Sequence, residues 1–212
     1  MKNGNLRERA YTIIKQKILS CEYPPGSFIN EISLLGEIGA SRTPIREAMT
    51  KLENENLVQI IPKKGILVCN ISLSEINDIY QTRKLIEPFI IRTQGGNTDK
   101  NQLKEYRSKY DEIINEKDFV KLIQFDDSFH HLLISNCRNK YLIQLLGLVY
   151  DQNVRIRVMA GKHTRRLEDT YKEHLKILDF ILDDELERAA EAMVEHLEKS
   201  QKAAFEYLYE DR

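Results

Sequence analysis

Ser41-Arg42-Thr43-Pro44-Ile45-Arg46-Glu47-Ala48 is the stretch on which the fold of this chain turns. Pro44 fits the first turn of a helix, where a missing N–H costs nothing, and Ser41 or Thr43 can cap that helix. At about 100° per residue, Ile45, Ala48, Met49 and Leu52 gather on one side, and Thr43, Arg46, Glu47 and Thr50 gather on the other. The apolar side can pack on a domain, while the other offers a hydroxyl and a guanidinium near the helix N-terminus. Such groups suit a helix entering the major groove of DNA, with arginine forking onto guanine or a phosphate. Periodicity alone leaves open a plain amphipathic helix with a solvated charged face.

The flanking sequence gives that helix a setting. Upstream, the pattern predicts a helix over 6–21, a turn at Pro24-Pro25-Gly26, a short helix over 30–37 and a tight turn at Gly39. The quoted stretch opens a third helix over 43–56. Two short apolar runs follow, 57–61 and 66–70, joined by Pro62-Lys63-Lys64-Gly65, which makes a hairpin. Three helices and a hairpin are the order of a winged helix-turn-helix. Lys63 and Lys64, at the hairpin tip, can lie along the DNA backbone or in the minor groove.

With 212 residues the chain can hold two modest cores, and its composition is that of an ordinary globular protein. The net charge of −1 divides unevenly: residues 1–70 carry ten Lys/Arg and seven Glu, whereas the remainder carries 22 basic and 26 acidic groups. The front part can therefore face phosphates and the back part cannot. No apolar run approaches the length of a membrane span, and the first residues lack the apolar stretch of a signal peptide, so a cytoplasmic location is expected. Cys21, Cys69 and Cys137 have no metal-type spacing and are expected to be buried, reduced thiols.

Glycine and proline punctuation crowds the first 65 residues, and after Gly95-Gly96 there is no proline at all. The boundary is placed near 69–72, giving a winged helix-turn-helix domain over 1–70 and an all-helical domain over 72–209. Ser72 and Glu75 form a capping box that opens a helix to about Thr93. Further helices are predicted at 99–116, 118–136, 139–160, 167–182 and 185–209, with Asp118 and Asp184 as N-caps. The fold class is thus mainly α, with a small β wing and a C-terminal helical bundle.

All five histidines lie in that second domain. Asp126 and His130 stand at i, i+4 on one helix face, flanking the apolar stripe of Leu122, Phe125, Phe129, Leu132 and Leu133. His131 falls opposite the stripe and is expected in solvent. His174 lies in the apolar face of Tyr171, Leu175, Leu178 and Leu182, and His196 lies beside the small residues Ala189, Ala192 and Ala203. Twenty-two residues separate those two histidines, roughly 33 Å along one helix, so they meet only if the chain reverses near Asp183-Asp184. One carboxylate and three imidazoles from three helices make a reasonable divalent metal site. Four separately satisfied polar groups in a helical core remain the alternative. Zinc is the first expectation for such N/O ligands, with manganese, nickel or iron as alternatives. His163, in a basic segment, reads as a loop residue. Arg83, Arg155 and Arg157 are candidates to meet the carboxylate of an effector, with surface salt bridges equally open.

The run Pro25-Gly26-x-x-Ile29-x-Glu31-x-x-Leu34, then Ile38 to Met49, then Leu52, Leu57 and Gly65, resembles the DNA-binding domain of the GntR family. The resemblance maps Arg42, Thr43, Arg46 and Gly65 onto DNA-contacting positions. Leu35 and Ala40 depart from the usual alanine and valine, and Ile32 stands where some relatives carry a basic residue, so that contact is expected to be missing. Arg83-x-x-x-Glu87, Asp126-x-x-Phe129-His130, Asn139, Glu173-His174 and Met193-x-x-His196-Leu197 resemble the FCD ligand-sensing domain of FadR-type GntR regulators. That resemblance implies a metal held by Asp126, His130, His174 and His196, with a small carboxylate effector completing its shell. It also implies a homodimer on a pseudo-palindromic DNA operator, no membrane partner and no enzymatic activity. Two other classes are carried forward: a constitutive DNA binder whose helical domain only dimerises, and a metal-dependent hydrolase.

Overall fold

The computed structural model describes residues 2–116, 118–160 and 164–210; His163 lies outside them. The chain divides into two compact units, Met1–Ser72 and Leu73–Arg212, and each is described by itself.

The first unit contains α1 (Lys2–Leu19), β1 (Phe28–Ile29), α2 (Glu31–Ile38), α3 (Arg42–Asn54), β2 (Val58–Ile61) and β3 (Gly65–Val68). Its core is aliphatic: Ile14 and Ile18 of α1, Leu34 and Ile38 of α2, and Ile45, Met49 and Leu52 of α3 are all buried with Val58, Ile66 and Val68 of the strands. Asn30 caps α2, its Oδ1 accepting from the Ile32 and Ser33 N–H groups at 2.9 and 3.4 Å. Gly39 ends that helix in the left-handed region at φ 66°, which glycine reaches without steric cost, and its N–H donates to the Leu35 carbonyl. Ser41 holds the N-cap position of α3 but makes no side-chain capping bond, so α3 starts on backbone geometry and Pro44 rather than on the expected hydroxyl.

The sheet is fully antiparallel in the order β1-β3-β2, with Val58 opposite Val68 and Ile61 opposite Gly65. The expected two-stranded hairpin thus gains a third strand. β1 has only two residues, too few for an alternating pattern, and it is pinned by the Gly26 N–H to the Val68 carbonyl and the Val68 N–H to the Ser27 carbonyl. At the wing tip the Lys64 N–H donates to the Ile61 carbonyl, and Lys63 takes φ 64° to close the turn.

The second unit is wholly helical: α4 (Leu73–Gln94), a 3-10 turn (Gly95–Asn97), α5 (Lys100–Glu116), α6 (Phe119–Ile134), α7 (Lys140–Ala160), α8 (Thr164–Leu182) and α9 (Leu186–Glu210). Asp118 caps α6 as expected, accepting from the Lys121 N–H at 3.2 Å. Asp184 has a different role. It sits at φ 60° while the Glu185 N–H reaches back to the Phe180 carbonyl and its own N–H to the Ile181 carbonyl. Those two bonds close the C-terminus of α8 as a Schellman motif, so the chain reverses there through a C-cap and not through an N-cap of α9. Cys137 is buried, whereas Cys21 and Cys69 are only half-buried; all three are free thiols. No helix of the described residues is long and apolar enough to cross a membrane.

Candidate functional site

Reversal at Asp184 lays α9 back along α8 and brings His174 and His196 together, their Nε2 atoms 3.4 Å apart. His130 joins them from α6, and one nitrogen from each of the three rings lies within 4.8 Å of the others. All three are buried, at 2%, 0% and 2% exposure for His130, His174 and His196. The apolar surroundings fix their orientation: the His174 ring stacks on Phe129 at 3.7 Å between centroids.

Burial sets the protonation of these rings. Desolvation pushes the His174 pKa well below its ordinary value, with the neighbouring His196 and His130 adding to the effect. Desolvation likewise lowers His196 to about 3, despite the opposing pull of Glu173. His130 is lowered by burial against the opposing charge of Glu87. Neutral imidazoles are the form that binds a metal. Two neutral Nε2 atoms at 3.4 Å that share a tetrahedral zinc at about 2.0–2.1 Å would stand about 3.3 Å apart, so the donor set fits such an ion.

Behind the rings stand carboxylates. Glu173 Oε2 accepts from His196 Nδ1 at 2.8 Å, and Glu87 Oε2 lies 2.8 Å from His130 Nδ1. The Glu173 contact fixes a tautomer that leaves His196 Nε2 facing the cluster, whereas His130 Nε2 also lies 3.0 Å from Arg83 Nη2. Burial works against the charge on Glu173, but His196 and Arg166 override it and hold its pKa at about 2. Arg166 grips Glu173 with both terminal nitrogens, at 3.1 and 2.9 Å, and also donates to Ser200 Oγ. Arg83 bonds Glu87 Oε1 through Nε at 2.6 Å and lays Nη2 against the His130 ring at 3.0–3.1 Å.

Residues 78–199 match the FCD domain family, and residues 6–68 match the family of bacterial regulatory proteins described as gntR. The chain belongs to the GntR family. This GntR regulator is 27% identical over 190 residues to the HTH-type transcriptional regulator YdhC of Bacillus subtilis, covering 88% of this chain and 85% of that one. It is 26% identical over 200 residues to the HTH-type transcriptional repressor RspR of Escherichia coli, covering 92% and 86%. A GntR regulator structure from Rhodococcus sp. RHA1 shares the fold with a TM-score of 0.84 at 20% identity, covering 94% of this chain and 97% of that one. The family and its FCD branch are those of metabolite-responsive DNA-binding regulators, and the chain is not an enzyme.

Of the four expected metal ligands, the tight cluster holds three. Asp126 stands at its edge, Oδ1 3.6 Å from His174 Nε2, and its other oxygen is in contact with Arg157. Arg157 also bridges to Asp127 at 2.9 Å, and burial together with Arg83 lowers its pKa to about 10. The three candidate arginines lie largely out of solvent. Arg83 is buried against Glu87, Arg155 is fully buried with Nη1 donating to Gln152, and Arg157 is mostly covered. Arg155 and Arg157 are two residues apart on α7, so they leave the helix from nearly opposite sides. His131 is half-exposed beside Asp127, as expected for a residue off the stripe. The structure thus adds Glu87, Glu173 and Arg166 as supporting residues. Glu87 and Glu173 stand in the FCD-like pattern, but only the packing shows which imidazole each one serves.

In the GntR regulator's first unit, α3 buries Pro44, Ile45, Ala48, Met49 and Leu52 and exposes Arg42, Thr43, Arg46 and Glu47. Lys63 and Lys64 are exposed on the wing, and Gly65 holds φ 114°, a conformation that disfavours other residues. Ile32 is 74% exposed on α2.

Proposed function

We propose that this regulator works as a homodimer on a pseudo-palindromic operator and answers to an organic acid bound at a divalent metal in its helical unit. Residues 1–70 read the DNA: Arg42, Thr43 and Arg46 from α3 in the major groove, and Lys63, Lys64 and Gly65 from the wing along the backbone or minor groove. Residues 72–209 carry the sensor and the dimer contact. His130, His174 and His196 hold the metal, zinc foremost, with Asp126 as the fourth ligand. Bound there, the ion supplies a Lewis-acidic anchor for a carboxylate. Arg83 and Arg157 are the guanidinium groups placed to meet the effector's anionic groups, whereas Arg155 is turned toward Gln152.

The observation that carries this reading is the convergence of three buried, neutral imidazoles, two of them backed by carboxylates that fix their tautomers. Separately satisfied core histidines have no need of such convergence, and among the described residues His174 Nδ1 has no hydrogen-bond partner. The test is elemental analysis of the purified protein beside its His174→Ala variant, followed by operator binding with and without candidate organic acids. Bound metal near one ion per chain is expected in the parent and a large loss in the folded variant. Full occupancy in the variant would exclude the assignment. An effector that shifts DNA binding without being consumed supports sensing over catalysis.

A further inference from the structure

Glu53 reaches from α3 to the wing, where its Oε1 accepts from the Ile60 N–H of β2 at 2.7 Å. β2 is an edge strand, because the sheet runs in the order β1-β3-β2. Ile60 stands opposite Ile66 of β3, yet its N–H goes to Glu53 and so points off the ladder. On an exposed edge such a group ordinarily faces water. The bond falls where the hairpin leaves its core. On the helix side, Asn56 at φ 57° closes α3, the Leu57 N–H donates to the Leu52 carbonyl, and the Cys69 N–H donates to the Leu57 carbonyl. Val58, Ile66 and Val68 are buried there. Towards the tip, Ile60 is 39% exposed, and Ile61 and Gly65 are half-buried. Lys63 follows three residues after Ile60. Glu53 thus ties α3 to the wing between the core and the tip.

Arg46 and Glu53 are seven residues apart on α3, which places them within about 20° of one another and about 10.5 Å apart along the axis. Glu53 therefore stands at the far end of the face that presents Arg46. A carboxylate on that face opposes the phosphates of a duplex. Its bond to Ile60 offsets that repulsion with a structural role, since a charged acceptor holds a backbone N–H more tightly than a neutral one. The angle between α3 and the hairpin decides whether the α3 side chains and the wing-tip lysines can meet one duplex together. A contact that fixes this angle before binding saves the cost of fixing it on the DNA.

We propose that Glu53 is a positioning residue for DNA recognition: it sets the wing against α3 so that Lys63 and Lys64 meet the backbone of the duplex that Arg42, Thr43 and Arg46 read. The proposal rests on the DNA-reading assignment above. The test uses the full-length protein and a duplex that the parent selects from a random-sequence pool, titrated at several salt concentrations. In the parent, Lys64→Ala should lower the slope of log affinity against log salt by about one. Glu53→Ala should lower it by about one to two, and adding Lys64→Ala to that variant should change little. Arg46→Ala should cost the same fold in affinity in both backgrounds, which a general loosening of the domain would not allow. Glu53→Gln keeps the acceptor oxygen without the charge and should keep the parent's slope. An undiminished Lys64→Ala effect in the Glu53→Ala protein overturns the proposal, as does a Glu53→Gln protein that behaves like Glu53→Ala. Amide exchange of Ile60 in the parent needs no variant to fold: protection is expected, and exchange at the rate of an open strand edge overturns the bond. A parent that selects no duplex overturns the DNA-reading assignment and this role with it, whereas the other failures leave that assignment standing.

Discussion

Glu173 precedes His174 on α8 yet serves His196 on α9, and Glu173→Gln therefore tests the metal centre without touching a ligand. The carboxylate accepts a hydrogen bond from His196 Nδ1–H at 2.8 Å while its two oxygens hold Arg166 at 3.1 and 2.9 Å. Glutamine has nearly the same shape but no charge. It weakens the pull on Nδ1–H, lowers the basicity of Nε2 and lets the ring tautomer exchange. Removing a supporting partner of this kind costs about 10–100-fold in metal affinity, or about 1.4–2.7 kcal/mol. The equivalent change at Glu87 is a poorer probe, because it would leave the buried Arg83 guanidinium without its carboxylate and destabilise the fold by about 3–5 kcal/mol. Arg166 is nearer solvent and can re-hydrate, so the Glu173→Gln protein should remain folded. The assay is competitive titration of zinc against a chromophoric chelator at pH 7, with circular dichroism as the control on folding. An unchanged zinc affinity in a folded variant would refute the argument that Glu173 orients His196 for a metal.

Two further outcomes follow from the same structure. The metal-free protein should lose stability as the pH falls from 7 to 5. His174 and His196 stay neutral in the native state but protonate near their ordinary value of 6.5 once unfolded, so the unfolded chain gains protons and stability drops. Each contributes a loss of roughly 2 kcal/mol at pH 5, and a melting temperature flat over that range would contradict the burial argument. In DNA binding, Arg46→Ala should cost about 1–3 kcal/mol on the preferred operator and relax base preference. Lys64→Ala should weaken all sequences alike and reduce the salt slope by about one, as measured by titration at several salt concentrations. Equal behaviour of the two variants would show that α3 does not read bases.

The elements most legible in the sequence were those with long period. Each predicted helix lies within a few residues of its counterpart, because the apolar positions recur every third or fourth residue and Gly39, Asn30 and Asp118 mark the ends with specific hydrogen bonds. β1 escaped because two residues carry no period and its pairing with β3 is a long-range fact. Asp184 was misread because aspartate serves both N-caps and left-handed C-caps, and only the Glu185 N–H to Phe180 carbonyl bond decides between them. The three histidines were visible as ligand types on separate helices, but the register that brings them together was not. Nor could adjacency in sequence reveal that Glu173 supports His196 and not His174. That pairing is set by how α8 and α9 pack after the turn at Asp184.

The buried charges of the helical unit bear on whether it senses or merely dimerises. Arg83 and Glu87 are 1% and 2% exposed, and Asp126, His130, His174 and His196 lie within the same bundle. Taking an ion pair out of water costs several kcal/mol per ion, and apolar residues of similar volume are often as stable or more so. A bundle whose task ended at dimerisation would gain nothing from this arrangement and could fill the space with leucine. Here the polar groups do not scatter. Glu87 and Arg83 close on His130, Glu173 and Arg166 close on His196, and Asp126 with Arg157 borders His174. Each charge is placed to orient a neighbour of the imidazole cluster, and α4, which supplies two of them, exposes Leu85 and Phe89 on its outer side. The cost of burial is thus concentrated where a bound ion and an anionic ligand would recover it, and that concentration favours a sensor over a passive dimerisation unit.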